Sequence, residues 1–242
     1  MAENPEIPTV GDGSALVESP MSPQEREVKG IWEAIQFVDK LARDDKKLIN
    51  EDVVRSVHKR AMGHFEPSFG GRYRDYDVEI KGAVFIPPHW TDVKPLMRQF
   101  GHNLEDDTSR LKQSLGSTEE TIAIAARQHY ELSRVHPFGD GNGRTSRLLV
   151  DLIFKRAGLY YITAWESQKD EYIDVLKRVD QTGNMDSLEA FLASRLRRRY
   201  DEIIGLLTKG KVRRLSENTR ALADIVERRN ALSTIAKTKS SI

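Results

Sequence analysis

A helical bundle carrying one short β-hairpin is the fold this chain predicts, and three observations predict it. Helix-capping signals stand repeatedly ahead of apolar residues at helical spacing. No internal repeat or low-complexity tract interrupts them. One segment alone breaks the rhythm with strand-like alternation.

Taken in order, the elements begin at Ser22-Pro23-Gln24-Glu25, a capping box with proline at the first helical position. Val28, Ile31, Trp32, Ile35, Val38 and Leu41 follow it at helical spacing and predict a long first helix. Further helical patterns cover about 51–62 and 92–104. Ser117-Thr118-Glu119-Glu120 caps the next helix, on which Ile122, Ala125, Ala126 and His129 lead towards residue 136. Leu148 to Phe154 is an apolar run that reads as a buried helix, and two more helices are expected near 167–179 and 186–207. Between the second and third helices, Tyr73 to Pro88 alternates around a Lys81-Gly82 turn and predicts the hairpin. Trp32, Trp90 and Trp165 form no cluster and read as packing residues.

Composition bounds the remainder. The 242 residues, 38% hydrophobic and 31% charged, suffice for one core with extensions. The absence of cysteine excludes disulfides and thiol catalysis. No apolar stretch approaches the roughly 20 residues of a membrane span, and the acidic, polar start is not a secretory signal. A cytoplasmic chain without a membrane partner is therefore expected. Residues 209–242 hold nine Lys or Arg against three Asp or Glu, and their apolar positions Leu215, Leu222, Ile225, Val226 and Leu232 suggest an amphipathic helix docking on the domain or on a second copy of the chain. Nucleic acid is not an expected partner, since the formal net charge is only +1 and no recognised binding motif accompanies the basic end. The expected organisation is a leader over 1–21, a domain over 22–208 and a basic helical extension over 209–242.

One unbroken run concentrates the chemistry: His136-Pro137-Phe138-Gly139-Asp140-Gly141-Asn142-Gly143-Arg144-Thr145-Ser146-Arg147. Gly141 and Gly143 around Asn142 let the backbone turn its N–H groups towards one point, an anion nest extended by the helix start that follows. Arg144 and Arg147, three residues apart, share a helix face where guanidiniums can fork onto phosphate oxygens. Asp140 is a hard carboxylate suited to Mg²⁺ shared with phosphates. His136 is the side chain here that can take a proton near neutral pH. Each feature alone reads as an ordinary loop histidine, turn or solvated face; their contiguity favours a polyphosphate site. No P-loop, zincin or nucleophile-elbow motif competes.

At these residues the chain resembles the Fic-domain (Fic/Doc) family, whose signature H-x-F-x-D/E-G-N-G-R-x-x-R is met at every fixed position. The resemblance implies a mostly helical Fic fold and protein adenylyltransferase activity: transfer of AMP from ATP to a Ser, Thr or Tyr hydroxyl of a target protein. His136 would be the base, Phe138 a buried loop anchor, and Asp140 the Mg²⁺ ligand. Gly141, Asn142 and Gly143 would cradle phosphate oxygens that Arg144 and Arg147 neutralise. Tyr172 matches a tyrosine-bearing helix where the family contacts adenine, although its helical spacing also suits a core residue. The predicted hairpin corresponds to the family's flap, with Val78, Glu79, Ile80, Lys81, Gly82, Ala83, Val84 and Phe85 pairing with the target segment as an added strand.

A second resemblance concerns an inhibitory helix with the pattern S/T-x-x-x-E-G/N. Ser14-Ala15-Leu16-Val17-Glu18-Ser19 matches it except at Ser19, and its position implies the subclass inhibited from the N-terminal side. Glu18 would then pair with Arg147 and occupy the γ-phosphate's seat. Other readings stay open: removal of AMP or another nucleotidyl or phosphate transfer at the same site, and a regulatory binding module without catalysis. His129 is expected to make a structural hydrogen bond, and His58, His64, His89 and His102 lack metal-ligand spacing.

Overall fold

The computed structural model describes residues 20–80, 83–114, 117–162, 169–208 and 219–240. Among these the chain forms eight helices: α1 (Pro23–Arg43), α2 (Glu51–Met62), α3 (Trp90–Ser114), α4 (Thr118–Val135), α5 (Asn142–Arg156), α6 (Lys169–Thr182), α7 (Asp186–Thr208) and α8 (Thr219–Ser240). Ser14, Glu18, Lys81, Gly82, Trp165 and Leu215 lie outside the described residues.

Polar caps start the helices where expected. The Glu25 amide donates to Ser22 Oγ at 3.2 Å while the Ser22 amide donates to Glu25 Oε2 at 2.7 Å, completing the capping box. Asn50 and Ser117 cap α2 and α4 through the amides of Val53 and Glu120. The third helix runs ten residues beyond the expected 104, because Leu104 and Leu111 remain on its buried face.

At the centre lies α5, buried on every side from Leu148 to Phe154, with Asp151 accepting the Ile162 amide at 2.8 Å, and enclosed by α1, α2 and α4. The first helix meets α2 differently from expectation. Its buried seam is Gly30, Ala34, Val38 and Leu41, whereas Val28 is 68% and Trp32 58% exposed. A Cβ at Gly30 would lie 2.6 Å from the Ala61 carbonyl, so the two helices approach closely at Gly30 and leave Val28 and Trp32 outside the contact. Trp90 also faces solvent. The basic α8 docks on α7 through Ile225, Leu232 and Ile235, while Val226 stays exposed. Arg229 bonds Asp201 at 2.8 Å and Lys239 bonds Asp186 at 2.8 Å, so part of the terminal positive charge is paired within the fold.

The expected hairpin is an extended segment rather than a two-stranded ladder. Among its described residues the only bridge joins Tyr73 to Phe138 of the motif run, and one turn bond links the Ala83 amide to the Ile80 carbonyl. Two physical causes stand out. Pro87 and Pro88 offer no amide, and the Arg74 side chain occupies the Tyr76 and Pro88 carbonyls that a ladder would need. No described helix is long and apolar enough to cross a membrane.

Candidate active site

The motif run folds as the corner between α4 and α5. His136 caps α4 in the left-handed region (φ 46°, ψ 58°), the only non-glycine residue with positive φ among those described. Its amide closes the helix on the Leu132 carbonyl at 3.0 Å. The ring Nδ1 lies 3.2 Å from the Ser133 carbonyl; a carbonyl only accepts, so Nδ1 carries the proton and Nε2 keeps its lone pair. Burial pushes this imidazole below its ordinary range, opposed by the Ser133 carbonyl and reinforced by the nearby Arg74 charge.

Beyond His136 the loop is locked from inside. Phe138 is fully buried, and its amide and carbonyl are both taken by the Asn142 side chain, at 3.0 Å to Oδ1 and 2.8 Å from Nδ2. The expected anchor role of Phe138 thus acquires a partner. The Asn142 side-chain amide is therefore turned into the loop, and only its backbone amide is left to contribute to an anion nest. His58 on α2 supplies a second lock. The Gly71 amide donates to its Nδ1 at 2.8 Å, which leaves Nε2–H to donate to the Asp140 carbonyl at 2.8 Å. Its ring stacks on Phe138 with centroids 3.6 Å apart, and burial holds it neutral with a pKa of about 4.

Gly141 turns the chain into α5 with φ 77°, and a Cβ there would meet Met62 Sδ at 2.7 Å. Glycine is therefore required both by conformation and by the close approach of α2. No side chain caps α5, and its first turn holds no acidic residue. The Thr145 amide is the first to find the helical acceptor, the Gly141 carbonyl at 2.9 Å. The amides of Asn142, Gly143 and Arg144 precede it in the turn and form the positive end of the helix dipole, the geometry of an anion site.

Charged groups ring this terminus. Asp140 receives the Gly141 amide on Oδ1 and Arg144 on Oδ2, the latter at 3.0 Å. Arg144 also reaches Glu27 of α1 at 2.7 Å, a partner the sequence reading did not foresee. Arg147 folds back over the first turn, its terminal nitrogen 3.2 Å from where a Gly143 Cβ would stand. Tyr172 of α6 bonds His129 Nε2 through its hydroxyl at 2.8 Å and packs against Phe191. Burial holds its phenol up at about 12, against the nearby Arg147 charge. The structural hydrogen bond expected of His129 is therefore present. No group of three or more metal-ligating side chains is present among the described residues; Asp140 is a single carboxylate.

The extended segment crosses beside His136. Val78, Ile80, Ala83 and Phe85 are half-buried, while Glu79, Val84 and Ile86 are exposed, the last by 88%. The Phe85 ring lies 4.0 Å from the Arg134 guanidinium carbon on α4. Arg134 is in turn held by Asp180 at 2.8 Å. The root of the segment is Arg74, buried at 4% exposure, with its backbone amide on the Pro137 carbonyl at 2.9 Å and its Nε on the His136 carbonyl at 2.9 Å. Neither Arg74 nor His58 carries a local sequence signal of its role, apart from the placement of His58 on the apolar face of α2.

The Fic/DOC family model matches residues 48–154. Protein adenylyltransferase Fic of Drosophila virilis is 31% identical over 170 residues, covering 70% of this chain and 33% of that protein. Its namesake in Culex quinquefasciatus is 30% identical over 178 residues, covering 74% and 34%. The chain thus spans about a third of the length of these curated relatives. Among solved structures, Fic-1 (aa134 - 508) from C. elegans superposes with a TM-score of 0.66 at 26% identity, covering 81% of this chain and 56% of that one. A Fic family protein from Desulfovibrio desulfuricans G20 shares the fold at a TM-score of 0.60 and 21% identity, covering 80% and 57%.

Proposed function

Residues 48–154 belong to the Fic/DOC family, and from that premise we propose that the site transfers AMP from ATP to a hydroxyl side chain of a target protein. The observation that carries this reading is the pairing, across one locked loop, of a histidine with its Nε2 lone pair available and a helix N-terminus without a side-chain cap. A base on one side and an anion site on the other are what in-line displacement at an α-phosphate needs.

The step is a nucleophilic substitution at phosphorus. His136 Nε2 takes the proton of the acceptor hydroxyl as its oxygen bonds to the α-phosphorus, and the bond from that phosphorus to the bridging oxygen breaks. Pyrophosphate leaves with the electron pair. The amides of Asn142, Gly143 and Arg144, with the Arg144 and Arg147 guanidiniums, would meet the charge that gathers on it. Mg²⁺, if held by Asp140 together with phosphate oxygens and water, would neutralise charge on the α- and β-phosphates; a single hard carboxylate beside the nest fits such shared ligation. Binding then requires Asp140 to exchange its contact with Arg144.

The exposed positions of 78–86 would align the acceptor peptide, and Tyr172 would border the adenine. Glu18 would restrain Arg147 and hold the enzyme in a low-activity state. Incubating the chain with lysate, Mg²⁺ and ATP labelled on adenine or on the γ-phosphate tests the reading. Protein-bound label from adenine alone is expected, abolished in His136→Ala and increased in Glu18→Gly. His136-dependent label arriving from the γ-phosphate would exclude AMP transfer, and adenine label undiminished in His136→Ala would exclude the proposed base.

A further inference from the structure

Arg74 is a buried cation whose hydrogen bonds all end on carbonyl groups. Nε donates to His136 at 2.9 Å, one terminal nitrogen to Tyr76 at 3.0 Å, and the other to Pro88 at 2.6 Å with a long approach to Val135 at 3.5 Å. The nearest ion-pair partner is Asp77 at 3.8 Å, whose side chain is largely in solvent. Withdrawing a guanidinium from water for carbonyl partners is costly unless the fork geometry serves a purpose. Here the fork ties together three points distant in sequence: both roots of the 76–88 segment and the carbonyl of the residue that carries the base. That carbonyl belongs to the one non-glycine residue in left-handed conformation among those described, where strain persists only under external constraint.

We propose that Arg74 is a positioning residue that couples the acceptor-aligning segment to His136, so that a peptide seated on residues 78–80 and 83–86 and the base move as one unit. The inference rests on the AMP-transfer reading of the site. A second tie supports it: Phe85, near the far root, packs on Arg134 of α4, two residues before His136, which caps that helix. Lysine cannot replace the fork, since one ammonium cannot span the Tyr76, Pro88 and His136 carbonyls together. The backbone contacts of this junction, Arg74 to Pro137 and Tyr73 to Phe138, do not depend on the side chain. The nest on α5 shares none of these bonds.

Arg74→Lys in the full chain provides the test, read by calorimetric binding of ATP with Mg²⁺ and by adenine-label transfer to protein in lysate. Displacing a catalytic group by about 1 Å costs on the order of 100-fold, so transfer should fall about 10- to 100-fold with ATP affinity within about twofold of wild type. Combining it with Phe85→Ala should lose little more than the larger single loss, since both act on one coupling. Unchanged transfer, an equal loss of ATP binding, or fully additive losses would each overturn the coupling. Should Arg74→Lys not fold, Arg74→Gln is read by the same assays, and failure of both to fold assigns Arg74 to structure alone and overturns the proposal. A wild-type chain that transfers no adenine label refutes AMP transfer itself, an outcome separate from these.

Discussion

The corner from His136 to Arg144 and the segment from Tyr76 to Pro88 lie side by side and are built on opposite plans. In the corner, Phe138, Asn142 and the His58 ring saturate one another, and the polar groups facing outward belong to the nest and the charges around it. The segment is fastened at its roots by Arg74 and along its length by Phe85, yet Val84 is 56% exposed and Ile86 more so. The difference teaches how the two substrates are treated. On the proposed function, a nucleotide would meet a surface already organised, whereas an acceptor peptide would supply part of the order itself, as strand-addition modes do.

That contrast can be broken most forcefully at Gly141. Gly141→Ala should cost on the order of 2–4 kcal/mol, because a Cβ there is strained at φ 77° and meets Met62, and ATP binding should fall with it. Chemical denaturation and calorimetry read both effects; a near-neutral result would mean the corner is looser than its bonds imply. Asn142→Ala comes next, leaving the buried Phe138 amide and carbonyl without partners at about 2–3 kcal/mol. Melting temperature checks it, and a drop of under a degree would remove the lock from the account.

Acid should loosen the corner before the segment. His58 and His129 have folded pKa values pushed down to about 4, so the unfolded chain binds more protons below the ordinary value of 6.5. Their contribution is complete above pH 6.5 and is lost as pH falls towards 4. Melting curves from pH 7.5 to 4.5 should show this decline, and a flat profile would refute buried neutral histidines. A smaller effect is expected at Glu27. Removing it in Glu27→Ala leaves Arg144 held by Asp140 alone, changing ATP binding by about threefold at most, the scale of a partly exposed ion pair. Smallest for the fold is Ile86→Ala, within about 0.5 kcal/mol of wild type, with ATP affinity unchanged and the KM for protein acceptor raised. Loss of ATP affinity there would erase the distinction between the two regions.

What could be read in advance follows the range of the interactions. Ser22, Asn50 and Ser117 act on amides three residues away, and the motif run folds on itself, so local pattern suffices for them. Glu27 meets Arg144 across 117 positions, His58 meets Asp140 across 82 and Arg74 meets His136 across 62, distances at which no spacing rule operates. The misread face of α1 has a related cause. Val28 and Trp32 satisfy helical periodicity as well as Ala34 does, and only the approach of α2 to Gly30 decides which stripe is covered. The hairpin failed for want of the same information, since its alternation is present but the Arg74 fork competes for its carbonyls.

The left-handed backbone at His136 implies a trade between endurance and turnover. Any side chain at φ 46° is held against a steric preference of roughly 1 kcal/mol or more that glycine would escape. A chain selected for stability alone would drift to glycine there, and His136→Gly should outlast the wild type on heating while transferring nothing. On the proposed function, keeping an imidazole at that corner would be a mark of selection for chemistry over robustness.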